Sequence, residues 1–153
     1  MTTTLPGSAP LRIAILVNIS PASPYEAGIK SSFVDAFSIL APHAKVDFYD
    51  PVIKGAYPDP RQYEVIVLSG GENVLSGEEW VEGVLAFVKT ARAQAPATKL
   101  LGICWGHQAI CIAHGGVVKN MEGGPVVCFF FLSLFLKKSP SPFQESLVPR
   151  ISN

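Results

Sequence analysis

Hydrophobic positions along this chain alternate between short solid runs and longer stretches with a helical repeat. Leu11–Val17 (LRIAILV) is apolar almost throughout and partly β-branched, which predicts a strand covered on both faces of a parallel sheet. The proline- and serine-rich Ile19–Tyr25 reads as a loop. From Glu26 to Leu40 the pattern turns helical, with Ile29, Phe33, Ala36, Phe37 and Leu40 on one face and Pro42 closing the segment. Lys45–Tyr49 (KVDFY) alternates like a strand near a sheet edge. Pro51–Tyr63 is a connection that includes a short helical turn. Glu64–Ser69 (EVIVLS) predicts a third strand.

Ser76 and Glu79 have the spacing of a capping box, Ser76 as N-cap and Glu79 at N3. The helix they open runs to about Gln94 and carries Val81, Val84, Leu85, Val88 and Ala91 as its buried stripe. Leu100–Ile103 is a fourth strand. A helix follows at once, with Ile110, Ala113 and His114 sharing a face, and Gly115-Gly116 stops it. Val117–Lys119 begins a further extended piece. Strands alternating with helices predict an α/β fold: a mainly parallel sheet with helices on both faces. Ligands in such sheets bind at the carboxyl ends of the strands.

Residues 1–10 read as a disordered leader, 11–122 as one α/β domain, and 123–153 as a tail of different character. Val126–Leu136 (VVCFFFLSLFL) is nearly unbroken apolar, without strand alternation or a helical stripe, and a Ser/Pro-rich end follows. That run is too short for a membrane span, which needs roughly twenty residues. Its character is read as a retained intron or a frame error rather than native coding sequence, and as an aggregation-prone segment if expressed.

Composition narrows the function classes. Twelve basic and twelve acidic residues balance, so neither nucleic acid nor an anionic membrane surface is indicated as a partner. Three cysteines at irregular spacing make no disulfide framework and fit a reducing, cytoplasmic setting. MTTTLPGSAP has no basic stretch followed by an apolar one, so no secretory signal is expected. Cys111 and His114 stand three apart on one helix, but two ligands close no zinc site, and no metal or other cofactor is expected.

The candidate chemistry lies at Gly102-Ile103-Cys104-Trp105-Gly106-His107-Gln108. A cysteine at a strand-to-helix junction, with a glycine two residues to each side, has the spacing of a nucleophile elbow with sulfur in place of oxygen. The turn is so tight that a Cβ at Gly102 or Gly106 would strike neighbouring backbone. The junction also places Cys104 at a helix N-terminus, where free N–H groups and the helix dipole favour the thiolate.

This heptapeptide resembles the nucleophile motif of class I, triad-type glutamine amidotransferases, which hydrolyse glutamine to glutamate and ammonia; related γ-glutamyl peptidases and hydrolases look similar here. The resemblance covers about Leu11 to Met121. It implies a flavodoxin-like fold of the amidotransferase type, incomplete at its C-terminus in a truncated or mis-spliced chain. Cys104 would form a γ-glutamyl thioester. The Trp105 backbone N–H would give one oxyanion-hole donor, and Gln108 would help hold the substrate. Val67-Leu68-Ser69-Gly70-Gly71 resembles the family's glycine loop, so Gly71 would supply the second donor, with Gly70 beside the substrate. Where the family often continues with proline, this chain has Glu72.

The family's base and orienter are a histidine and a glutamate near the C-terminus, and no histidine follows His114 here. His43 is expected at the opposite end of the sheet, His107 one turn past the cysteine, and His114 near the far end of that helix; Glu145 has no histidine beside it. The chain as written is therefore expected to hydrolyse glutamine poorly or not at all. Three readings stand: an amidotransferase-type glutaminase, a γ-glutamyl peptidase or hydrolase on the same fold, and a non-catalytic interaction module. Glutamine or a γ-glutamyl compound is the expected ligand. A synthetase partner and self-association are left open.

Overall fold

Alternate residues of the apolar runs point to opposite faces of a sheet, and both faces are covered. The computed structural model describes residues 9–71 and 77–118. Its elements are β1 (Arg12–Leu16), α1 (Glu26–Leu40), β2 (Lys45–Tyr49), β3 (Val65–Leu68), α2 (Glu79–Gln94), β4 (Lys99–Gly102) and α3 (Trp105–Ala113), with one 3₁₀ turn at Pro60–Gln62 before β3. All four strands are parallel, in the order β2-β1-β3-β4. The chain belongs to the flavodoxin-like type of α/β fold: it steps from β1 to one side, then crosses back to β3 on the other.

That reversal creates a switch point between the carboxyl ends of β1 and β3. On one face Ala14, Leu16, Ile66 and Leu68 pack with Val84, Val88, Trp105 and Ala109 of α2 and α3. On the other, Ile13, Ile15, Val17 and Val67 meet Ile29, Phe33 and Phe37 of α1. Residues with these two roles alternate along β1, which is why the run reads as solidly apolar. Among the described residues, no helix is long and apolar enough to cross a membrane.

Several local expectations are corrected. Gly77 has φ of 87° and cannot belong to a helix, so α2 starts at Glu79 with Glu78 as N-cap and no side-chain cap bond. Ser76 itself lies outside the described residues. The buried stripe of α2 includes Phe87, which stacks on Tyr57 at 5.2 Å between centroids. Helix α1 has no fully buried residue: Ala36 and Leu40 are exposed, because the sheet face beneath α1 covers only Ile29, Phe33 and Phe37. His114 is exposed rather than sharing the buried face of Ile110 and Ala113. The fourth strand spans Lys99–Gly102, and Ile103 beyond it is exposed. Val117 and Val118 are exposed and pair with no strand among the described residues. The assignments made for Glu72, Lys119 and the tail at 123–153 lie outside the described residues, as do all but two residues of the 1–10 leader.

Candidate active site

Strand β4 ends at Gly102, and two residues later Cys104 caps α3. Cys104 has φ 51° and ψ −109°, and it is the sole non-glycine residue with positive φ among those described. Such a conformation costs on the order of 1–3 kcal/mol and persists only where the surroundings impose it. Here they do. A Cβ on Gly102 would stand 2.4 Å from the His107 nitrogen and 2.5 Å from the Gly106 carbonyl, while one on Gly106 would stand 2.3 Å from the Leu68 carbonyl oxygen. With both flanks stripped to backbone, α3 comes down onto the end of β3, and the chain must reverse through Cys104. Ile103 N–H bonds the Leu68 carbonyl at 3.0 Å, and Gly106 N–H bonds the Ile103 carbonyl at 2.9 Å. The result is an exposed thiol carried above the sheet on a fixed turn.

Trp105 opens α3, and its main-chain N–H has no acceptor among the described residues. Its indole is 2% exposed and stacks on Trp80, ring centroids 5.0 Å apart. That stack roots the first turn of the helix in the core.

The loop after β3 closes over this junction. A Cβ on Gly70 would lie 3.7 Å from the Cβ of Cys104, so the loop runs beside the cysteine. Gly71 is tighter still: a Cβ there would meet the Asn18 carbonyl oxygen at 2.4 Å and the Trp105 ring at 3.3 Å. Only glycine fits between them. The Gly71 N–H likewise has no acceptor among the described residues. The structure thus brings together Gly70, Gly71, Cys104 and Trp105, from the carboxyl ends of β3 and β4. Gln108 lies one turn along α3, half-buried, its N–H donating to the Cys104 carbonyl at 3.1 Å.

The histidines do not join this group. His43 precedes β2 and sits at the amino end of the sheet, as its sequence position implied. His114 caps the far end of α3, about 15 Å along the helix axis from Cys104. His107 is half-buried on the first turn, and no hydrogen bond links it to Cys104. Among the described residues, no three His, Cys, Asp or Glu side chains cluster to hold a metal.

Sequence reasoning missed a polar clasp beneath the loop. Asn18 and Ser69 are both fully buried at the ends of β1 and β3. The Asn18 N–H donates to Ser69 Oγ at 2.8 Å, and Asn18 Nδ2 donates to the Ser69 carbonyl at 3.1 Å. The one sequence signal was a polar residue closing each apolar run.

Comparison with known proteins agrees with this architecture. The family profile described as Glutamine amidotransferase class-I matches residues 25–130. The chain is 40% identical over 118 residues to Glutamine amidotransferase-like protein chyE of Penicillium rubens, covering 76% of this chain and 50% of the relative. It is 38% identical over 89 residues to Glutamine amidotransferase-like protein chry6 of Gibberella zeae, covering 56% and 37% respectively. It is 36% identical over 78 residues to Gamma-glutamyl peptidase 2 of Arabidopsis thaliana, covering 48% and 31%. No solved structure gives a significant match. The chain thus spans half or less of the length of these relatives. An all-parallel sheet in the order β2-β1-β3-β4, with a cysteine elbow at the end of β4, carries the same assignment as the profile: the chain belongs to the class I glutamine amidotransferase family.

Proposed function

We propose that Cys104 is a nucleophile toward the γ-carbonyl of glutamine or a γ-glutamyl compound, forming a γ-glutamyl thioester. The observation that carries this reading is the strained backbone of Cys104 at the N-cap of α3, with the Gly70-Gly71 loop packed against it. Packing of α3 on the end of β3 holds the strained turn in place, and a nucleophile gains access and orientation from it.

In the proposed step, the Cys104 thiolate attacks the γ-carbon and the carbonyl electron pair moves onto oxygen. The N–H groups of Gly71 and Trp105 receive that charge; their lack of acceptors among the described residues supports this role. Collapse of the intermediate breaks the carbon–nitrogen bond and leaves the thioester on sulfur; the thiol's proton passes to solvent when the thiolate forms, and the departing amine or ammonia takes one back from solvent. No described histidine is hydrogen-bonded to Cys104, so the reading assigns acylation to these residues and no protein base. Gln108 and Gly70 are assigned to substrate contact.

A γ-glutamyl peptidase is the second reading, favoured by the likeness to relatives that bear that name at 36% and 32% identity. The two are separated by supplying glutamine or a γ-glutamyl dipeptide and measuring the released ammonia or amine together with the mass of the protein. A γ-glutamyl adduct lost in Cys104→Ala supports the proposal, and the substrate that forms it faster selects the reading. No adduct with either substrate favours a non-catalytic module.

A further inference from the structure

We infer that Ser69, held by Asn18, is a positioning residue that aims the Gly71 N–H at the reacting carbonyl; this rests on the reading of Cys104 as the nucleophile. The peptide unit between Gly70 and Gly71 is planar, with its carbonyl and its N–H on opposite sides. Whatever holds the Gly70 oxygen therefore sets the direction of the Gly71 N–H. A peptide flanked by two glycines has little intrinsic preference for either orientation, because no Cβ restricts the backbone on either side.

Ser69 supplies the missing restraint. Its Oγ accepts from the Asn18 N–H at 2.8 Å, and its own proton goes to the Gly70 carbonyl oxygen, also at 2.8 Å. The relay runs from the end of β1, through the hydroxyl, to the peptide plane that carries the proposed oxyanion donor. Asn18 fixes the near end twice more. Its Nδ2 holds the Ser69 carbonyl, and its own carbonyl packs where any side chain on Gly71 would have to go. The two bonds between Asn18 and Ser69 are buried, so water does not compete for them, and the Ser69–Gly70 bond they support is part-buried. Neither touches the substrate in this account. They act through Gly70 and Gly71.

A positioning role of this kind separates two reactions of the same thiol. Alkylation of Cys104 by iodoacetamide needs the thiolate and no oxyanion. Acylation by the γ-(4-nitrophenyl) ester of glutamate needs both. There the thiolate adds to the γ-carbon, the tetrahedral oxyanion collapses, and 4-nitrophenolate leaves with the carbon–oxygen bonding pair, needing no proton. The experiment compares both rates for the full chain, Ser69→Ala, Asn18→Ala and Ser69→Thr, with the Cys104→Ala rate subtracted. The expected result is a tenfold or greater loss of acylation in S69A, a smaller loss in N18A, which removes the Nδ2 bond but keeps the main-chain N–H, alkylation within twofold of the parent in both, and recovery in S69T, which keeps the hydroxyl. Equal loss of both reactions would make Ser69 a merely structural residue and overturn the assignment. Unchanged acylation in S69A would overturn it too. An unaltered chain that alkylates at Cys104 but releases no 4-nitrophenolate overturns the reading of Cys104, and this assignment with it.

Discussion

Gly106 and the Leu68 carbonyl meet so closely that a Cβ on the glycine would lie 2.3 Å from the oxygen and 2.6 Å from the Leu68 Cβ. Helix α3 and strand β3 are joined at that contact, and the direction of the Cys104 turn depends on it. Gly106→Ala must push α3 off the sheet, and overpacking of this kind costs on the order of 1–3 kcal/mol. Gly28, in α1, has nothing within 4 Å of a would-be Cβ. Gly28→Ala should therefore be neutral or stabilising by about 0.5–1 kcal/mol, from helix propensity alone. Urea unfolding of the two variants beside the parent protein checks the contrast. A G106A midpoint equal to that of the parent would refute the packing at the elbow.

Cys104 holds a conformation that glycine adopts freely. Relief of on the order of 1–3 kcal/mol of backbone strain outweighs the roughly 0.5–1 kcal/mol entropic cost of a glycine. Cys104→Gly is thus expected to unfold at a higher temperature than Cys104→Ala, which keeps the strained Cβ. Calorimetry or circular dichroism decides the order. Cys104→Ala equal to or above Cys104→Gly would mean that the turn is not strained.

At the other end of the sheet, the Tyr63 hydroxyl donates to Asp47 at 2.9 Å and shares a 2.7 Å hydrogen bond with Tyr49, while the Arg12 guanidinium lies over its ring. Burial, helped by the hydrogen bonds to Tyr49 and Asp47, pushes this hydroxyl well above the usual tyrosine range. A raised folded-state value means that stability is fully present below the unfolded value of about 10 and falls as pH rises toward the folded one. Above about pH 10 this group's share of the slope is at most about 1.4 kcal/mol per pH unit. Tyr63→Phe should lose roughly 1–2 kcal/mol at neutral pH and show a shallower alkaline decline than the parent protein. Parallel declines above pH 10 would remove Tyr63 as the titrating group.

Much of the fold was legible because its signals are local. The solid apolar run of β1 marks a strand buried on both faces, and the spacing of Val81, Val84, Leu85 and Val88 marks the inner side of α2. The elbow was legible for the same reason: Gly102, Cys104 and Gly106 lie within five consecutive residues, and their steric roles follow from a single turn. Other features depend on distant chain. The periodicity of α1 shows which side faces the sheet but not how much sheet lies beneath it, so Ala36 and Leu40 seemed inward. Gly77 departs from the helix through its own φ, which the Ser76–Glu79 spacing does not reveal. The Asn18–Ser69 clasp joins residues 51 positions apart. It exists only once β1 and β3 are side by side, and no pattern along the chain encodes that pairing.

The measurement that tests the account most directly is site mapping of thiol reactivity. The full chain is treated at neutral pH with a γ-diazoketone analogue of glutamine, digested, and its peptides are read by mass spectrometry. Cys104 is exposed at a helix N-terminus, whereas Cys111 is half-buried within α3. The predicted result is one label, on Cys104, slowed by excess glutamine and absent in Cys104→Ala. Labelling spread equally over Cys104, Cys111 and Cys128, indifferent to glutamine and persisting in the Cys104→Ala chain, would contradict Cys104 as the nucleophile.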